Sequence, residues 1–479
     1  MNTDYKVILE IGKLSPTIVT LTKADGLSVT SLPSSSISIV SASTEDATFA
    51  FTVNFDALPD LPLPGAKATL LYGQRTLCRC EIKNDTIDPS NSTVAVTTGP
   101  QRHTNTLTFP PALIGDRVGE ARRFPNASPD IKGDTVPVLY GYIQDSPLIK
   151  LDDQDPEADP PTNVRFLIAG HRIASPSITV VDGDGVPVGT FAVEEAIDGL
   201  GGIFSYVTMT SDVQPDSGFA STVAGYLGAD GGAVHKLGDV LESLWRNYGQ
   251  GFDLDFERIT KARNKLNRFS VGLRFDQQLT KVSLVEVVES RIAGQFPVCF
   301  GAPRGRYGWD AIVWPSVTDK TERDIIYEQN VFASSDASRP DIDSIVNRAS
   351  VSYQRSGRTD SDSEFRYFDA TTSEACRISI NKWGASPESQ LSFPDVSGIS
   401  SNDFSQAWAV AEELIRRQGD LYRMITYTTD DLSWLDVPYT TLVTVTDSRK
   451  SLRWVRRRAI VEGTNLTETG QVQIKLLVI

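Results

Sequence analysis

Histidine, methionine and cysteine are scarce in this chain of 479 residues: three, three and four copies. Four cysteines are too few for a disulfide framework. Cys78 and Cys80 stand two apart on a predicted strand, so they share a face and cannot easily bridge each other. Cys299 and Cys376 are isolated, and reduced buried thiols are expected. None of His103, His171 and His235 lies in an HExxH pattern or beside a nucleophile motif, so structural or surface roles are expected and no metal site. There is no Walker-type phosphate loop, and Gly199-Leu200-Gly201-Gly202 is too short and misplaced for a dinucleotide fingerprint. No cofactor is expected. No run approaches the roughly 18 apolar residues of a membrane span, and Met1-Asn2-Thr3-Asp4 lacks the basic-then-apolar pattern of a signal peptide. Synthesis in the cytoplasm and no stable membrane insertion are the resulting expectations.

What is present is acidic and rich in β signals. A net charge of −15 repels nucleic acid at long range. The length suggests roughly three to four domains at about 150 residues each. Residues 1–100 read as an all-β unit, with Val7, Leu9 and Ile11, Val19 and Leu21, and Phe49, Phe51 and Val53 alternating between Gly, Ser and Pro punctuation. Residues 101–162 are Pro-rich and carry the acidic run 152–159, which predicts an extended linker. Its spacing does not fit a calcium loop: starting from Asp153, the sixth and twelfth positions hold Ala158 and Val164 instead of Gly and Glu.

Residues 163–232 return to strands, with Asp182-Gly183-Asp184-Gly185 as a hairpin turn. Residues 233–345 mix helix and strand. Leu237, Val240, Leu241, Leu244 and Tyr248 follow helical spacing, and Ser283 with Glu286 makes a capping box. Residues 346–479 hold one helix, striped by Phe404, Ala407, Trp408, Ala411, Leu414 and Ile415, and then close in strands.

Those closing strands echo the start of the chain. Leu61-Pro62-Leu63-Pro64-Gly65 precedes an alternating run at 66–71, a break at 72–76, a second run at 77–82, a polar turn at 85–92 and a third run at 93–97. Trp434-Leu435-Asp436-Val437-Pro438 precedes a run at 441–445, a break at 447–450, a second run at 452–461, a turn at 462–470 and a third run at 471–478. The order of elements agrees although few residues are identical. Two copies of one small β unit are what a subunit needs if it presents repeated edges around a ring. The expected fold class is α+β, mainly β, and multidomain, with two related β-barrel domains flanking a β domain and a mixed α/β insert.

Two local motifs offer other functions. Gly251-Phe252-Asp253-Leu254-Asp255-Phe256-Glu257 resembles the active-site strand of chitinase-type glycoside hydrolases, which would make Glu257 the general acid and Asp255 its partner. The position for that pattern's first Asp holds Gln250, and nothing supplies eight β/α repeats. A short acidic segment between two helices is the plainer expectation, and no residue is assigned a catalytic role. Arg453-Trp454-Val455-Arg456-Arg457-Arg458 is the densest basic patch. A strand there would put Arg456 and Arg458 on one face and Arg453 and Arg457 on the other. Against the acidic chain, ion pairs within the chain or across a subunit boundary are expected in preference to nucleic-acid binding. A glycan-binding adhesin built of β domains is a further alternative.

As a pattern of domains, the chain resembles the tail hub proteins of tailed bacteriophages, the baseplate hub and tail-tip hub family. The resemblance is carried by Val136-Pro137-Val138-Leu139-Tyr140-Gly141 after the first barrel, by 177–189, by the helix 403–417, and by 424–428, 435–437 and 442–447. It implies two tube-like barrels per chain and a homotrimer offering six similar β units, which adapts a sixfold tail tube to a threefold tip. The implied partners are the tail tube or distal tail protein ring, a tape measure protein, and a central fibre or spike protein. DNA would pass through the lumen without specific binding. The chain ends soon after the second barrel, so receptor recognition or wall digestion would fall to other proteins.

Overall fold

A computed structural model describes residues 5–12, 15–100, 109–153, 163–210, 218–249, 254–276, 284–353, 365–396 and 405–479. His103, Ser283, residues 154–159 of the acidic run and the polar segment 355–364 lie outside the described residues.

The alternation near the start forms a seven-stranded sheet. Its order is Thr17–Leu21, Tyr5–Ile11, Lys67–Tyr72, Arg75–Asp88, Thr93–Gly99, Ala50–Asn54 and Ser28–Ser31. Val7, Leu9, Phe51, Val53, Leu70, Cys80, Ile82 and Val94 all turn to one face and form one cluster, which obliges the sheet to wrap around it. It stays open, since its two edge strands do not pair.

The second sheet runs Arg323–Ile326, Leu442–Asp447, Trp454–Leu466, Val472–Val478, Arg423–Thr429 and Ala333–Ser334. Apart from the outer strand Thr17–Leu21, the two sheets match strand for strand, in space and in chain order. Each places a short 3-10 turn between its third and fourth strands in chain order, at Phe55–Ala57 and at Leu432–Asp436. Each breaks register at two corresponding points: between Leu70 and Leu71 and between Ile82 and Asn84 in the first, and between Val445 and Asp447 and between Val461 and Gly463 in the second. One pairing differs. Tyr5–Ile11 runs antiparallel to Lys67–Tyr72, whereas Arg323–Ile326 runs parallel to Leu442–Asp447.

The structure corrects several expected boundaries. The second sheet takes two strands, Arg323–Ile326 and Ala333–Ser334, from the region before residue 346. Conversely, Ala349–Tyr353 pairs with Phe365–Phe368 and Ser389–Phe393 in a separate three-stranded sheet. Among the described residues, two α-helices follow residue 346 where one helix was expected, Glu374–Trp383 and Ser405–Gln418. Val351, Cys376, Ala411 and Ile415 share their core with Leu241, Ile259, Val288 and Trp309, so apolar contact joins regions that composition had divided. The Pro-rich stretch is also more than a linker. Within it Val138–Pro147 is a central strand, bonded to Phe219–Ala224 on one side and Gly272–Phe275 on the other. The polar turns expected at 85–92 and 462–470 are shorter, at 89–92 and 467–470, because ladder bonds carry the strands Arg75–Asp88 and Trp454–Leu466 into them.

Other expected elements coincide with the structure. Leu237–Tyr248 is a helix that buries Leu237, Val240, Leu241 and Leu244. Asp182 accepts the backbone N–H groups of Asp184 and Val186 and closes a hairpin between Ser177–Val181 and Pro187–Ala192. The architecture is α+β, mainly β, in several sheets.

Candidate functional site at the junction of the two modules

The two matching sheets abut. The tight turn after Tyr72 carries Arg75 against the 3-10 turn of the second sheet, where its Nη1 donates to Asp436 Oδ2 at 2.7 Å and to the carbonyl of Leu432. Tyr5 and Tyr72 pack ring on ring, with centroids 5.1 Å apart, and together with Leu77 they join the core of the second sheet. Burial, then Tyr72 and Glu468, push the Tyr5 phenol up to about 12.

A second seam lies beside the first. Residues 35–39 run over the strand Trp454–Leu466. The Ser35 N–H donates to Asn465 Oδ1 at 3.0 Å, Ser35 Oγ lies 2.7 Å from Tyr439 Oη, and the Ile39 N–H donates to Glu462 Oε1 at 2.9 Å. A Cβ at Gly463 would lie 2.8 Å from the Ser35 carbonyl oxygen, so glycine is what permits this approach. Ile37, Ile39, Ile312, Tyr439, Leu442, Ile460 and Leu477 seal the seam as one apolar cluster. Burial raises the pKa of the Glu462 carboxyl, while the Ile39 N–H and Lys475 oppose that rise.

The hairpin of Val298–Gly301 and Gly308–Ala311 wedges into the same junction. It receives the Arg79 N–H on the Arg304 carbonyl at 2.9 Å and the Ala47 N–H on the Ala302 carbonyl at 3.1 Å. Arg304 also donates to the Val437 carbonyl at 3.0 Å and lies over the Tyr439 ring. Both modules and the wedge therefore form one continuous contact. Behind it Arg258 pairs with Asp310 at 2.6 Å in near-complete burial and holds the Gly301 carbonyl at 3.0 Å.

The residues singled out for chemistry do not converge. Asp255 caps the helix Phe256–Leu266 by accepting the Arg258 N–H at 3.2 Å. Glu257 lies in the first turn of that helix and is exposed, bonded to Lys261 at 2.9 Å. Lys261 holds its pKa below the ordinary value, the reverse of what a general acid needs. Gly251–Asp253 of that motif lie outside the described residues. His171 is buried: Nε2 accepts the Leu139 N–H at 2.9 Å, which leaves the Nδ1 proton to be donated to the Arg172 carbonyl at 2.9 Å. His235 is half-buried, its Nδ1 2.8 Å from the Ala233 carbonyl. All four cysteines are free and buried. Among the described residues, no cluster of His, Cys, Asp and Glu side chains could hold a metal, and no helix is long and apolar enough to cross a membrane.

The basic patch departs from the expected alternation. A bulge opposite residues 445–447, with Arg456 at φ 46°, leaves Val455, Arg456 and Arg457 all exposed in succession. Arg458 donates to the carbonyls of Ser316 and Asp319 and, among the described residues, not to a carboxylate. Sequence reasoning missed Arg75, Ser35, Ile39, Glu462 and Arg304 because their partners lie far away along the chain. The only signal available was the echo itself.

No family model and no curated protein matches this chain. Among solved structures, it is similar to the prophage tail protein gp18 from Listeria monocytogenes EGD-e, with 11% identity, 99% of this chain and 94% of that chain covered, and a TM-score of 0.42. It is also similar to a tail protein from Neisseria meningitidis MC58, with 9% identity, 99% and 96% covered, and a TM-score of 0.41. The 43 kDa tail protein of prophage MuSo2 from Shewanella oneidensis gives 10% identity, 99% and 98% covered, and a TM-score of 0.42. With TM-scores below 0.5, these are loose likenesses.

Proposed function

We propose that this chain is a structural protein of a bacteriophage tail, a hub at the distal end that acts by assembly and not by catalysis. Two β modules of one topology stand side by side in one chain, and three chains would supply six such modules. A collar of that kind presents six similar edges to a sixfold tail tube or distal tail protein ring, while its own symmetry suits a threefold fibre or spike below. A tape measure protein and then DNA would pass through its lumen, the acidic balance of the chain disfavouring adhesion of the DNA.

The observation that carries this reading is the strand-for-strand correspondence of the two sheets across a shared, well-packed junction. Duplication alone would allow two modules on a loose tether; the seam fixes the angle between them, which a ring requires. The test is electron microscopy of particles assembled with an epitope-tagged chain. Label at the distal tail tip and three copies per ring are expected; label elsewhere, or particles without the chain, would defeat the proposal.

A further inference from the structure

A cavity of about 20 Å³ lies where both modules and the wedge hairpin meet. One water-sized guest needs roughly 10–15 Å³, so there is room for a single water or a monatomic ion. The polar lining comes from every part of the junction. Thr76 belongs to the first module, Ser35 to the segment that crosses between modules, Arg304 to the wedge, and Tyr439, Thr464 and Asn465 to the second module. The rest of the lining is apolar, and no Asp or Glu takes part in it.

This lining holds more donors than acceptors. Thr464 is 6% exposed, and among the described residues its Oγ1 has no hydrogen-bond partner, which is costly for a buried hydroxyl. Asn465 accepts the Ser35 N–H through Oδ1, which leaves the hydrogens of its amide nitrogen to be donated elsewhere. Ser35 and Tyr439 share one hydrogen bond at 2.7 Å, so one of their two hydroxyl protons is still to be placed. Arg304 is half-buried and gives one bond to the Val437 carbonyl at 3.0 Å. Among the described residues it makes no ion pair. Glu257 senses its charge but is itself bonded to Lys261 at 2.9 Å. A guanidinium, two hydroxyls and an amide around one small space, with no carboxylate beside them, call for negative charge. A neutral water would satisfy the hydroxyls but leave the cation uncompensated.

We propose that this cavity is a binding site for a small monovalent anion, a halide such as chloride, held by the Arg304 guanidinium, the Thr464 hydroxyl and the Asn465 amide. Its ligands come from three separate segments, so the site exists only while the second module and the wedge are in contact. An ion that binds only that arrangement stabilises it in proportion to its concentration, and the junction between the modules becomes halide-dependent. The site goes beyond the tail reading and does not rest on it: a chain with another role would keep the same cavity.

The test compares the full chain in sodium chloride and in sodium gluconate at equal ionic strength, so that general screening is held constant. Amide hydrogen exchange at residues 35–39 and 464–466 should slow at least threefold in chloride and level off as chloride rises. T464V, which keeps the shape of the side chain and removes its hydroxyl, should lose most of that difference, and R304M all of it. Because R304M also gives up the bond to Val437, crystals of the parent chain grown in sodium bromide supply a second measurement, in which anomalous scattering should place bromide between Arg304 and Thr464. Equal exchange in chloride and gluconate would overturn the proposal. So would a halide effect that survives in both variants, or a water in the cavity of the bromide crystals. Bromide seen in the crystal without any effect on exchange would mean an adventitious ion only, and would overturn it equally.

Discussion

Arg75 and Asp436 lie 361 positions apart in the chain and 2.7 Å apart in space, joining the hairpin end of one β unit to the 3-10 turn of its second copy. Both side chains are partly exposed, so water and salt screen the pair, and R75A should cost less than about 1 kcal/mol. The seam under Gly463 is different. G463V brings a side chain against the Ser35 backbone and should cost roughly 1–3 kcal/mol by overpacking. Chemical denaturation of the two variants should rank them in that order, with hydrogen exchange at residues 35–39 faster in G463V alone.

Glu462 is buried and bonded by one oxygen to the Ile39 N–H. E462A leaves that donor unsatisfied and should cost about 1–3 kcal/mol. Gln can still accept the bond. Because the folded carboxyl has its pKa raised, its contribution is full at acid pH and declines as pH rises through the folded pKa. E462Q should therefore match the parent at low pH and equal or exceed it in Tm above neutrality.

Arg258 and Asp310 form a buried pair behind the wedge hairpin. R258M strands a carboxylate in the interior and should cost roughly 3–5 kcal/mol, whereas R258M/D310L removes both charges and should recover most of it. Urea midpoints of the single and double variants form the cycle that checks this.

His171 is held neutral by burial, which pushes its pKa down to about 4. A free imidazole titrates near 6.5, so between about 6.5 and 4 the unfolded chain takes up a proton that the folded chain refuses. Stability is full above that window and falls through it on acidification, by roughly 3 kcal/mol from this residue. H171Q should flatten the slope of stability against pH across that window, measured by denaturation at several pH values.

Elements set by short-range pattern were legible in the sequence. The helix at Leu237–Tyr248 shows its apolar spacing, and the Asp182 turn supplies its own hydrogen bonds. Where the sequence misled, polar residues were the cause. Glu462 and Thr464 read as turn, yet both are buried in a strand under residues 35–39. The strand Arg323–Ile326 carries too little alternation to announce its membership of a sheet more than a hundred residues downstream. The chitinase-like segment matched in residue type, but a cap and an exposed helical turn are what the local backbone made of Asp255 and Glu257.

By itself the sequence determined that one β unit occurs twice, because alternation and turn spacing are properties of neighbouring residues. Only the tertiary structure decided that the two units lock side by side, since Arg75, Ile39 and Gly463 find their partners through packing between distant segments. It also decided which faces stay open: a bulge at Arg456 turned an alternating strand into an exposed basic tip, and nothing in the spacing of those arginines could have shown it.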